Sequence, residues 1–488
     1  MKTMQTDYLV IGSGASGMAF VDTLVQETDA HITIVDRHAK PGGHWNDAYP
    51  FVALHQPSAF YGVNSMELGT RSKDTFGVNQ GLYELASGPE VSGYYNKVMH
   101  QKLLPTGRVS YHPMCNYLGD SKFVSLLSGQ QTQVTIRKKL VDANYFGPSV
   151  PATHTPQFKV ADGVRMVTPT GLAQLWQRPD QLQNQLQNQL QNQLQDRPAH
   201  YAILGAGKTA MDVGIWLLNC GAAPESISWV MPRDSWLVNR ITTQPSAEFF
   251  NHSIGGQAAQ MQAMAEATSI EDMFLRLEAS GQMLRIDPQH TPTMFHYATI
   301  SVDEVAQLRR ITQVIRMGRV QAIETGALVM AQGRQTMHAN TLYIDCTASA
   351  VEPRPLLPIF QDNSIVLQLV RAPLPTFSSA MIAYVEAHYD TDAQKNQLCG
   401  NVPFPTSVAG YARASMANMA NQMQWAQDKT LRNWMRDSRL DGFGKLLASV
   451  DPSDTEKMTI LGKMRQHAMA AAGNVPKLLA AEAQRAAA

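Results

Sequence analysis

Two glycine-rich hexapeptides are the residues of this chain best suited to binding a nucleotide. Residues 12–17 read Gly-Ser-Gly-Ala-Ser-Gly, and residues 205–210 read Gly-Ala-Gly-Lys-Thr-Ala. In such a motif the first glycine permits a sharp turn and the second lets the backbone approach a pyrophosphate, which then faces the N-terminus of the following helix. The third small residue lets that helix pack on its strand. The expected nucleotide contacts are Gly12, Gly14, Ala15, Ser16 and Gly17 in the first motif, and Gly205, Gly207, Lys208, Thr209 and Ala210 in the second.

Charged residues follow the strand after each motif. Asp36 ends the apolar run 31–35, where an acidic side chain accepts hydrogen bonds from an adenosine ribose, and Arg37 is expected at the same site. Arg233 follows the second such strand and is suited to the 2′-phosphate of NADPH. Asp234 beside it is the type of residue that favours NADH, so the sequence predicts NADPH with NADH as the alternative.

Each motif stands between a predicted strand and a predicted helix. Residues 8–11 and 201–204 are apolar, and helical patterns run through 18–25 and up to residue 218. This strand–turn–helix context is the one that a dinucleotide fingerprint requires. The two nucleotide cofactors are therefore interpreted as a flavin and the nicotinamide that reduces it. Further elements are predicted as a helix at 92–104, a hairpin within 123–141, helices over 245–310, strands within 314–330 and 336–345, and amphipathic helices after 400.

The composition favours a protein that acts on small molecules. Lys plus Arg and Asp plus Glu both number 40, and the isoelectric point is about 7.2, so neither a nucleic acid nor a membrane is expected as a partner. The four cysteines lie far apart without the spacing of a metal site or a redox pair, so no metal is predicted. The expected location is the cytoplasm, and a homodimer is allowed.

A third motif carries a resemblance to a known family. Residues 41–50 read Pro-Gly-Gly-His-Trp-Asn-Asp-Ala-Tyr-Pro. This run resembles a signature of the class B flavoprotein monooxygenases, which include the flavin-containing and the Baeyer–Villiger monooxygenases. The order of the fingerprints is also similar, with FAD first and NADPH in the middle. The resemblance implies an α/β fold of two Rossmann-like domains: an FAD domain at 1–165, an inserted NADPH domain at 166–335, the rest of the FAD domain at 336–425, and C-terminal helices at 426–488.

The resemblance also implies roles for individual residues. Gly42 and Gly43 would let the backbone approach the FAD, and Trp45 would pack near the flavin, with an ordinary core position as the alternative. His44 is either a hydrogen-bonding or acid–base group at the flavin or a structural histidine. Side chains expected on the same side of the flavin are Asp47, Tyr49, His55, Gln56 and Ser58.

Two further residues lie in segments that match the family less closely. Arg240 is expected near the junction of nicotinamide and flavin, as a catalytic candidate beside His44. Asp345 is expected to bind a cofactor and belongs to the run 345–349, which resembles the segment that returns to the FAD domain. Residues 150–154 resemble the segment that leads out of it.

The expected activity is that of an FAD-dependent monooxygenase. NADPH would reduce the flavin, and the reduced flavin and O2 would oxygenate a small organic substrate through a C4a-(hydro)peroxyflavin. The alternatives are a flavin-dependent NAD(P)H reductase, dehydrogenase or oxidase, and a nucleotide-binding protein without catalysis. The family fingerprint before the NADPH motif is incomplete at residues 146–154, so heteroatom and Baeyer–Villiger oxygenation both stay open.

One low-complexity segment separates the second motif from the preceding chain. Residues 181–195 repeat Gln-Leu-Gln-Asn, which favours a tolerated linker, helical or not, over a coiled-coil partner site.

Overall fold

The computed structural model describes residues 2–175, 198–349, 351 and 354–487. The Gln-Leu-Gln-Asn repeat at 181–195 lies outside the described residues. The strands, in chain order, are β1 (Lys2–Ile11), β2 (Ile32–Val35), β3 (Gly62–Val63), β4 (Met66–Glu67), β5 (Val109–His112), β6 (Cys115–Gly119), β7 (Lys122–Ser125), β8 (Gln131–Asp142), β9 (Lys159–Val160), β10 (Met166–Val167), β11 (His200–Leu204), β12 (Ile227–Val230), β13 (Ser235–Asn239), β14 (Met283–Leu284), β15 (Met294–Ile300), β16 (Gln313–Ile315), β17 (Val320–Glu324), β18 (Ala327–Met330), β19 (Gly333–Thr336), β20 (Thr341–Asp345), β21 (Phe360–Gln361) and β22 (Ser364–Val366).

The α-helices are α1 (Ala15–Glu27), α2 (Gly88–Val98), α3 (Pro169–Gln174), α4 (Lys208–Asn219), α5 (Phe250–Glu266), α6 (Ile270–Ala279), α7 (Val302–Leu308), α8 (Pro375–His388), α9 (Asp392–Leu398), α10 (Val408–Trp425), α11 (Lys429–Asp437), α12 (Gly444–Ala448) and α13 (Thr455–Ala487). A 3₁₀-helix at Gly43–Asp47 carries the third motif. No helix in the described ranges has the length and apolar character needed to cross a bilayer.

The first nucleotide motif lies on a mostly parallel sheet. Its strand order is β21-β22-β8-β1-β2-β5, and β6 and β7 extend it as antiparallel strands beside β8. The central strand β1 pairs in parallel with both β2 and β8. The helix α1 packs against α8 in the largest apolar core, where Phe20 and Phe377 are both fully buried. A central parallel strand followed by a buried helix is the Rossmann arrangement, which places the turn between them at the carboxyl edge of the sheet.

The second motif lies on a second sheet, in the order β10-β20-β11-β12-β16, in which every pair is parallel. The motif connects β11 to α4, as the sequence predicts. The α/β fold with two Rossmann-like units and C-terminal helices is thereby confirmed. Within the predicted helical region 245–310, however, the run Met294–Ile300 is strand β15 beside β13. Aromatic and β-branched residues dominate this run, which favours a strand.

The return to the first sheet corrects a predicted boundary. We expected the first domain to resume at residue 336, but β20 pairs with β11, with Leu204 opposite Asp345, and therefore belongs to the second sheet. All five residues of β20 are buried, because it lies between β10 and β11. The chain rejoins the first sheet with β22, which pairs with β8. We place the boundary between β20 and β21.

The long helix α13 completes a third apolar core. It packs along α5, and Ala471, Val475 and Leu478 are buried in the same cluster as Phe274 of α6 and Tyr411 of α10. The amide of Asn474 also donates to the carbonyl oxygens of Met264 and Ala267, each at 2.9 Å, at the end of α5. The C-terminal helix is therefore a structural part of the middle of the molecule.

The first motif depends on close contact between its own glycines. Gly12 has a φ of +106°, and a Cβ atom at Gly17 would lie 2.1 Å from the carbonyl oxygen of Gly12. We expect Gly17→Ala to lower the free energy of unfolding by about 3 kcal/mol, because the added methyl group forces the turn and α1 apart. Urea denaturation of the purified variant measures this. The matched control is Gly462→Ala in α13, where a Cβ meets no atom within 4 Å and the change should stabilise slightly. Equal stability of the two variants would contradict the packing argument.

Candidate functional site

Both motif helices begin with an open N-terminus. The N-cap residues Gly14 and Gly207 have extended backbones, no side chain caps either helix, and no acidic residue occupies either first turn. Gly14 is partly exposed and Gly207 is exposed, and a Cβ atom at Gly207 would meet nothing within 4 Å. The first N–H groups of a helix need partners and carry partial positive charge, so both ends are suited to a phosphate group.

The third motif lies against the first one. The N–H of Gly42 donates to the carbonyl oxygen of Ser13 at 2.9 Å, and Gly42 has a φ of +124°. A Cβ atom at Gly43 would lie 2.8 Å from the Cα of Gly14, so these two segments meet backbone to backbone. Glycine is required at both places, and the result is a side-chain-free surface beside the start of α1.

Asp36 is buried and fully hydrogen-bonded. Its Oδ2 accepts from the N–H and the hydroxyl of Ser13, at 2.5 and 2.8 Å, and its Oδ1 lies 2.8 and 2.9 Å from the backbone N and the Nδ1 of His38. Burial acts to raise the pKa of Asp36, but the hydrogen bonds from His38 and Ser13 outweigh it and lower the pKa. A carboxylate accepts about four hydrogen bonds, so a ribose hydroxyl at Asp36 must share or replace the bond from the Ser13 hydroxyl. The neighbouring Arg37 side chain is exposed.

His38 is a site residue that sequence reasoning missed. Its Nε2 lies 2.9 Å from Oδ2 of Asp47, at the end of the 3₁₀-helix that carries the third motif. The hydrogen bond to Asp36 raises the pKa of His38. His38 therefore connects the end of β2 to the glycine loop, and the predicted flavin-side residue Asp47 is its partner.

His44 and Trp45 lie together on the third motif. The Trp45 indole N–H donates to the hydroxyl of Tyr61 at 2.8 Å, and the ring packs against the first apolar core. The His44 ring stacks on Trp45 with centroids 5.3 Å apart. Burial disfavours the charged imidazole and lowers the pKa of His44 to about 4. The ring is therefore neutral at pH 7 and can donate only one N–H. Ser58, another predicted flavin-side residue, is buried and instead bonds the backbone of Glu84 and Ala86.

The chain after the third motif packs on the helix of the second. The hydroxyl of Tyr49 donates to Oδ2 of Asp212 at 2.7 Å, and the ring of Phe51 stacks on Trp216 at 4.9 Å and 17°. Asp212 and Trp216 both belong to α4. The structure thus brings the Tyr-Pro end of the third motif into direct contact with the second Rossmann unit.

A buried group of four charged side chains lies beside this contact. Lys208 binds both Asp212 and Glu304, the latter at 3.2 Å, and Arg240 binds the other oxygen of Glu304 at 2.6 Å. Burial acts to raise the pKa of Glu304, but Lys208, Arg240 and the N–H of Ser301 outweigh it and lower the pKa to about 2. The ammonium of Lys208, which the sequence predicts at a phosphate, is paired with the carboxylates of Asp212 and Glu304. Asp212 and Glu304 were not singled out from the sequence.

Arg240 is fully buried and its guanidinium has several hydrogen-bond partners. It is 1% exposed, and besides Glu304 it donates to the carbonyl oxygen of His55 at 2.9 Å and to Oδ1 of Asn79 at 3.1 Å. Burial lowers the pKa of His55 well below its usual value. The four charged side chains border a cavity of about 210 Å³. Its other lining residues are Phe51, Ala53, Leu54, Val78, Asn79, Leu85, Ile215, Trp216 and Asn219.

Arg233 lies just beyond β12, at the carboxyl edge of the second sheet. Its side chain is exposed, and no described residue forms an ion pair with it. Asp234 is instead paired with Arg316, whose Nε and Nη2 lie 2.8 and 2.9 Å from the two carboxylate oxygens. Arg316 was also missed, because the sequence gives no sign of a pairing over so long a separation.

Asp345, a predicted cofactor-binding residue, lies beside the second motif and not beside the first. It ends β20 and is 3% exposed, and its Oδ1 accepts from the N–H and the hydroxyl of Thr347 at 3.0 and 2.6 Å. A Cβ atom at Gly205 would lie 2.5 Å from the carbonyl oxygen of Cys346. The physical reason is the parallel pairing of β20 with β11. Nε2 of His154 lies 3.1 Å from the Thr347 hydroxyl, so the segments expected to leave and re-enter the first domain do touch.

Comparisons with known proteins place the chain in a family. Residues 10–68 match the model of an NAD(P)-binding Rossmann-like domain. The uncharacterized proteins Rv2000 of Mycobacterium tuberculosis and Mb2023 of Mycobacterium bovis are each 42% identical to this chain over 478 residues, which cover 98% of it and 85% of each relative. The chain belongs to the same family as these mycobacterial proteins.

One solved structure shows a similar architecture at low sequence identity. The polycyclic ketone monooxygenase of the fungus Thermothelomyces thermophila is similar over 98% of this chain and 88% of its own, with a TM-score of 0.50 and 12% identity. An open structure of cyclohexanone monooxygenase covers 100% of this chain and 98% of its own, with a TM-score of 0.45 and 12% identity. The fold is similar to that of the polycyclic ketone monooxygenase, in agreement with the predicted resemblance to the class B flavoprotein monooxygenases.

The charge group generates a prediction about pH. Because the pKa of Glu304 is about 2 in the fold and about 4.3 in an unfolded chain, its contribution to stability is complete above pH 4.3 or so and is lost as the pH falls through 2. Glu304→Gln should lower the free energy of unfolding at pH 7 by about 3 kcal/mol, since Lys208 and Arg240 lose a buried partner. It should also weaken the dependence of stability on pH between about 4.5 and 2. Urea midpoints across this range measure both effects.

The control is Glu324→Gln, because the pair of Glu324 with Arg334 is exposed. If the two variants lost the same stability, Glu304 would not hold the charge group together.

Proposed function

We propose that this protein is an FAD- and NADPH-dependent monooxygenase that oxygenates a small organic substrate. The observation that carries the proposal is the contact of the third motif with both nucleotide units. Gly43 lies against the first motif, and Tyr49 and Phe51 lie against α4 of the second. Two dinucleotides bound at these helix ends would therefore extend toward one shared junction, as hydride transfer between their rings requires.

The residues at the first motif fit FAD. The uncapped N-terminus of α1 and the side-chain-free contact of Gly14 with Gly43 leave backbone N–H groups for a pyrophosphate. Asp36 would bind a ribose hydroxyl in place of the hydroxyl of Ser13. The hydrogen bond from His38 keeps the Asp36 carboxylate ionised and oriented. Trp45 binds Tyr61 on the core side of the loop. Of His44 and Trp45, His44 is therefore the candidate to contact the flavin.

The residues at the second motif fit a nicotinamide dinucleotide. Gly207 is exposed at the uncapped start of α4, and Arg233 is exposed at the end of the neighbouring strand. The guanidinium of Arg233 is suited to a 2′-phosphate, which supports NADPH over NADH.

Bound FAD and NADPH would supply the hydride transfer and the activation of O2, with one oxygen atom entering the substrate and the other leaving as water. The chain's own part is to position the cofactors and to exclude water. Arg240 and Lys208 are each paired with a carboxylate, so with Glu304 and Asp212 they form a group without net charge that fixes one wall of the 210 Å³ cavity. The neutral His44 would donate a hydrogen bond without delivering a proton at pH 7.

The activity is tested by a balance of NADPH, oxygen and product. We expect purified protein containing non-covalent FAD to oxidise NADPH faster in the presence of a substrate found in a panel of ketones, sulfides and amines. One atom of ¹⁸O from labelled O2 should enter the product per NADPH, with little hydrogen peroxide. Stoichiometric peroxide with every compound would support an oxidase or reductase instead. Protein that binds FAD and NADPH but shows no flavin reduction would support a binding role without catalysis.

The second motif is tested by filling the open space at Gly207. Gly207→Val should retain FAD and stability, because a Cβ atom there meets no protein atom within 4 Å. It should lose at least tenfold in the rate of flavin reduction by NADPH, since one blocked phosphate contact is worth roughly 1.5–3 kcal/mol. Stopped-flow absorbance of the bound flavin measures the rate. Gly473→Val in α13 is the matched control, because a Cβ there also meets nothing within 4 Å. Unchanged reduction by Gly207→Val protein would remove the second motif from the coenzyme site.

A further inference from the structure

The ion pair between Asp234 and Arg316 lies where the adenosine end of the second coenzyme is expected. We infer that Arg316 is the positioning residue that sets the choice between NADPH and NADH, because it holds Asp234 away from Arg233 and from the bound ligand. This inference rests on the proposed function, since it assigns the specificity of that same second site.

Sheet geometry brings these residues together. The strands β12 and β16 are parallel neighbours, and Val230 is opposite Ile315. The residues that follow the two strands therefore emerge at the same carboxyl edge, where an open α/β sheet binds its ligand. Arg316 comes directly after β16, and Asp234 comes four residues after the end of β12.

The pair is two-pronged and braced. Nε and Nη2 of Arg316 lie 2.8 and 2.9 Å from the two oxygens of Asp234, and Nη2 also lies 3.1 Å from Asp287. The backbone carbonyl of Asp234 accepts from the N–H groups of Thr293 and Met294, both at 3.2 Å. The Asp234 side chain is 11% exposed and that of Arg316 21%, so the pair is largely shielded from solvent. A two-pronged arginine–carboxylate pair is among the stronger and more directional polar contacts.

The consequence concerns the charge that a ligand would meet. A carboxylate at this place in a Rossmann unit accepts hydrogen bonds from ribose hydroxyls and repels a 2′-phosphate. Both oxygens of Asp234 are bound to Arg316, so the carboxylate is held by a cation and turned away from a ligand beside Arg233. Arg233, the adjacent residue, has no anionic partner among the described side chains and is exposed. The remaining charged or titratable neighbours are Asp287, which is shared with Arg316 and His290, and His296, which faces Arg233.

Binding of two small ligands tests the inference without turnover. Calorimetry on the FAD-containing protein would compare 2′,5′-ADP, which carries the 2′-phosphate, with 5′-AMP, which does not. Wild type should prefer 2′,5′-ADP. In Arg316→Gln the freed carboxylate should lower this preference by about tenfold or more, which is the size expected for a charge-assisted contact. In Arg316→Gln with Asp234→Asn the preference should return, because no carboxylate is left to interfere.

The outcomes separate this inference from the proposed function. The control is Arg334→Gln, which breaks the exposed pair with Glu324 and should leave the preference unchanged. Wild-type protein that binds neither ligand would overturn the second nucleotide site and the inference with it. Wild-type preference retained in folded, FAD-containing Arg316→Gln would overturn the inference alone. If Arg316→Gln does not fold, the variant Asp234→Asn tests the inference. This variant should keep or raise the preference for 2′,5′-ADP over 5′-AMP. A loss of that preference would mean that Asp234 itself supports phosphate binding and would overturn the inference.

Discussion

The negative charge of Glu304 is the constraint on which the arrangement of the two Rossmann-like units depends. Lys208 opens the helix of the second motif and Arg240 lies between β13 and α5, and both positive charges are nearly removed from water. Without a carboxylate between them they would repel each other at short range in a medium of low polarity. Glu304 allows both to be buried, and Arg240 then reaches the backbone of His55 and the side chain of Asn79 in the first part of the chain. The junction between the units is thus held by charge and hydrogen bonds as well as by the stacking of Phe51 on Trp216.

Local sequence patterns were sufficient to predict the nucleotide units. The strand, the glycine turn and the helix are neighbours in sequence, so the turns that contain Gly12, Gly17 and Gly207 could be predicted from spacing alone. The position of Asp36 at the end of β2 could be predicted for the same reason, because β2 is the next strand of the same unit. What the pattern could not supply was the partner of each charged group. His38 was not recognised, because its role depends on a loop that turns back toward β2.

The missed residues share a physical cause. Glu304, Asp212 and Arg316 gain their importance from partners that only the folded sheets bring near them, and a single sequence contains no signal for such pairs. The same limit explains the misplaced boundary at residue 336. A short apolar strand such as β20 fits either parallel sheet, and only its pairing with β11 decides between them. Asp345 ends this strand and therefore lies in the second Rossmann-like unit.

The packing of α13 has a consequence for how this chain folds as it is made. Ala471, Val475 and Leu478 are buried with Phe274 and Tyr411, and Asn474 bonds the end of α5. Domains usually fold in order as they leave the ribosome. Here the apolar surface of α5 and α6 that packs on α13 stays exposed until α13 is synthesised, about two hundred residues later. The middle of the molecule is therefore completed only after α13 has been made, and the face of α1 that packs on α8 is likewise covered late in synthesis.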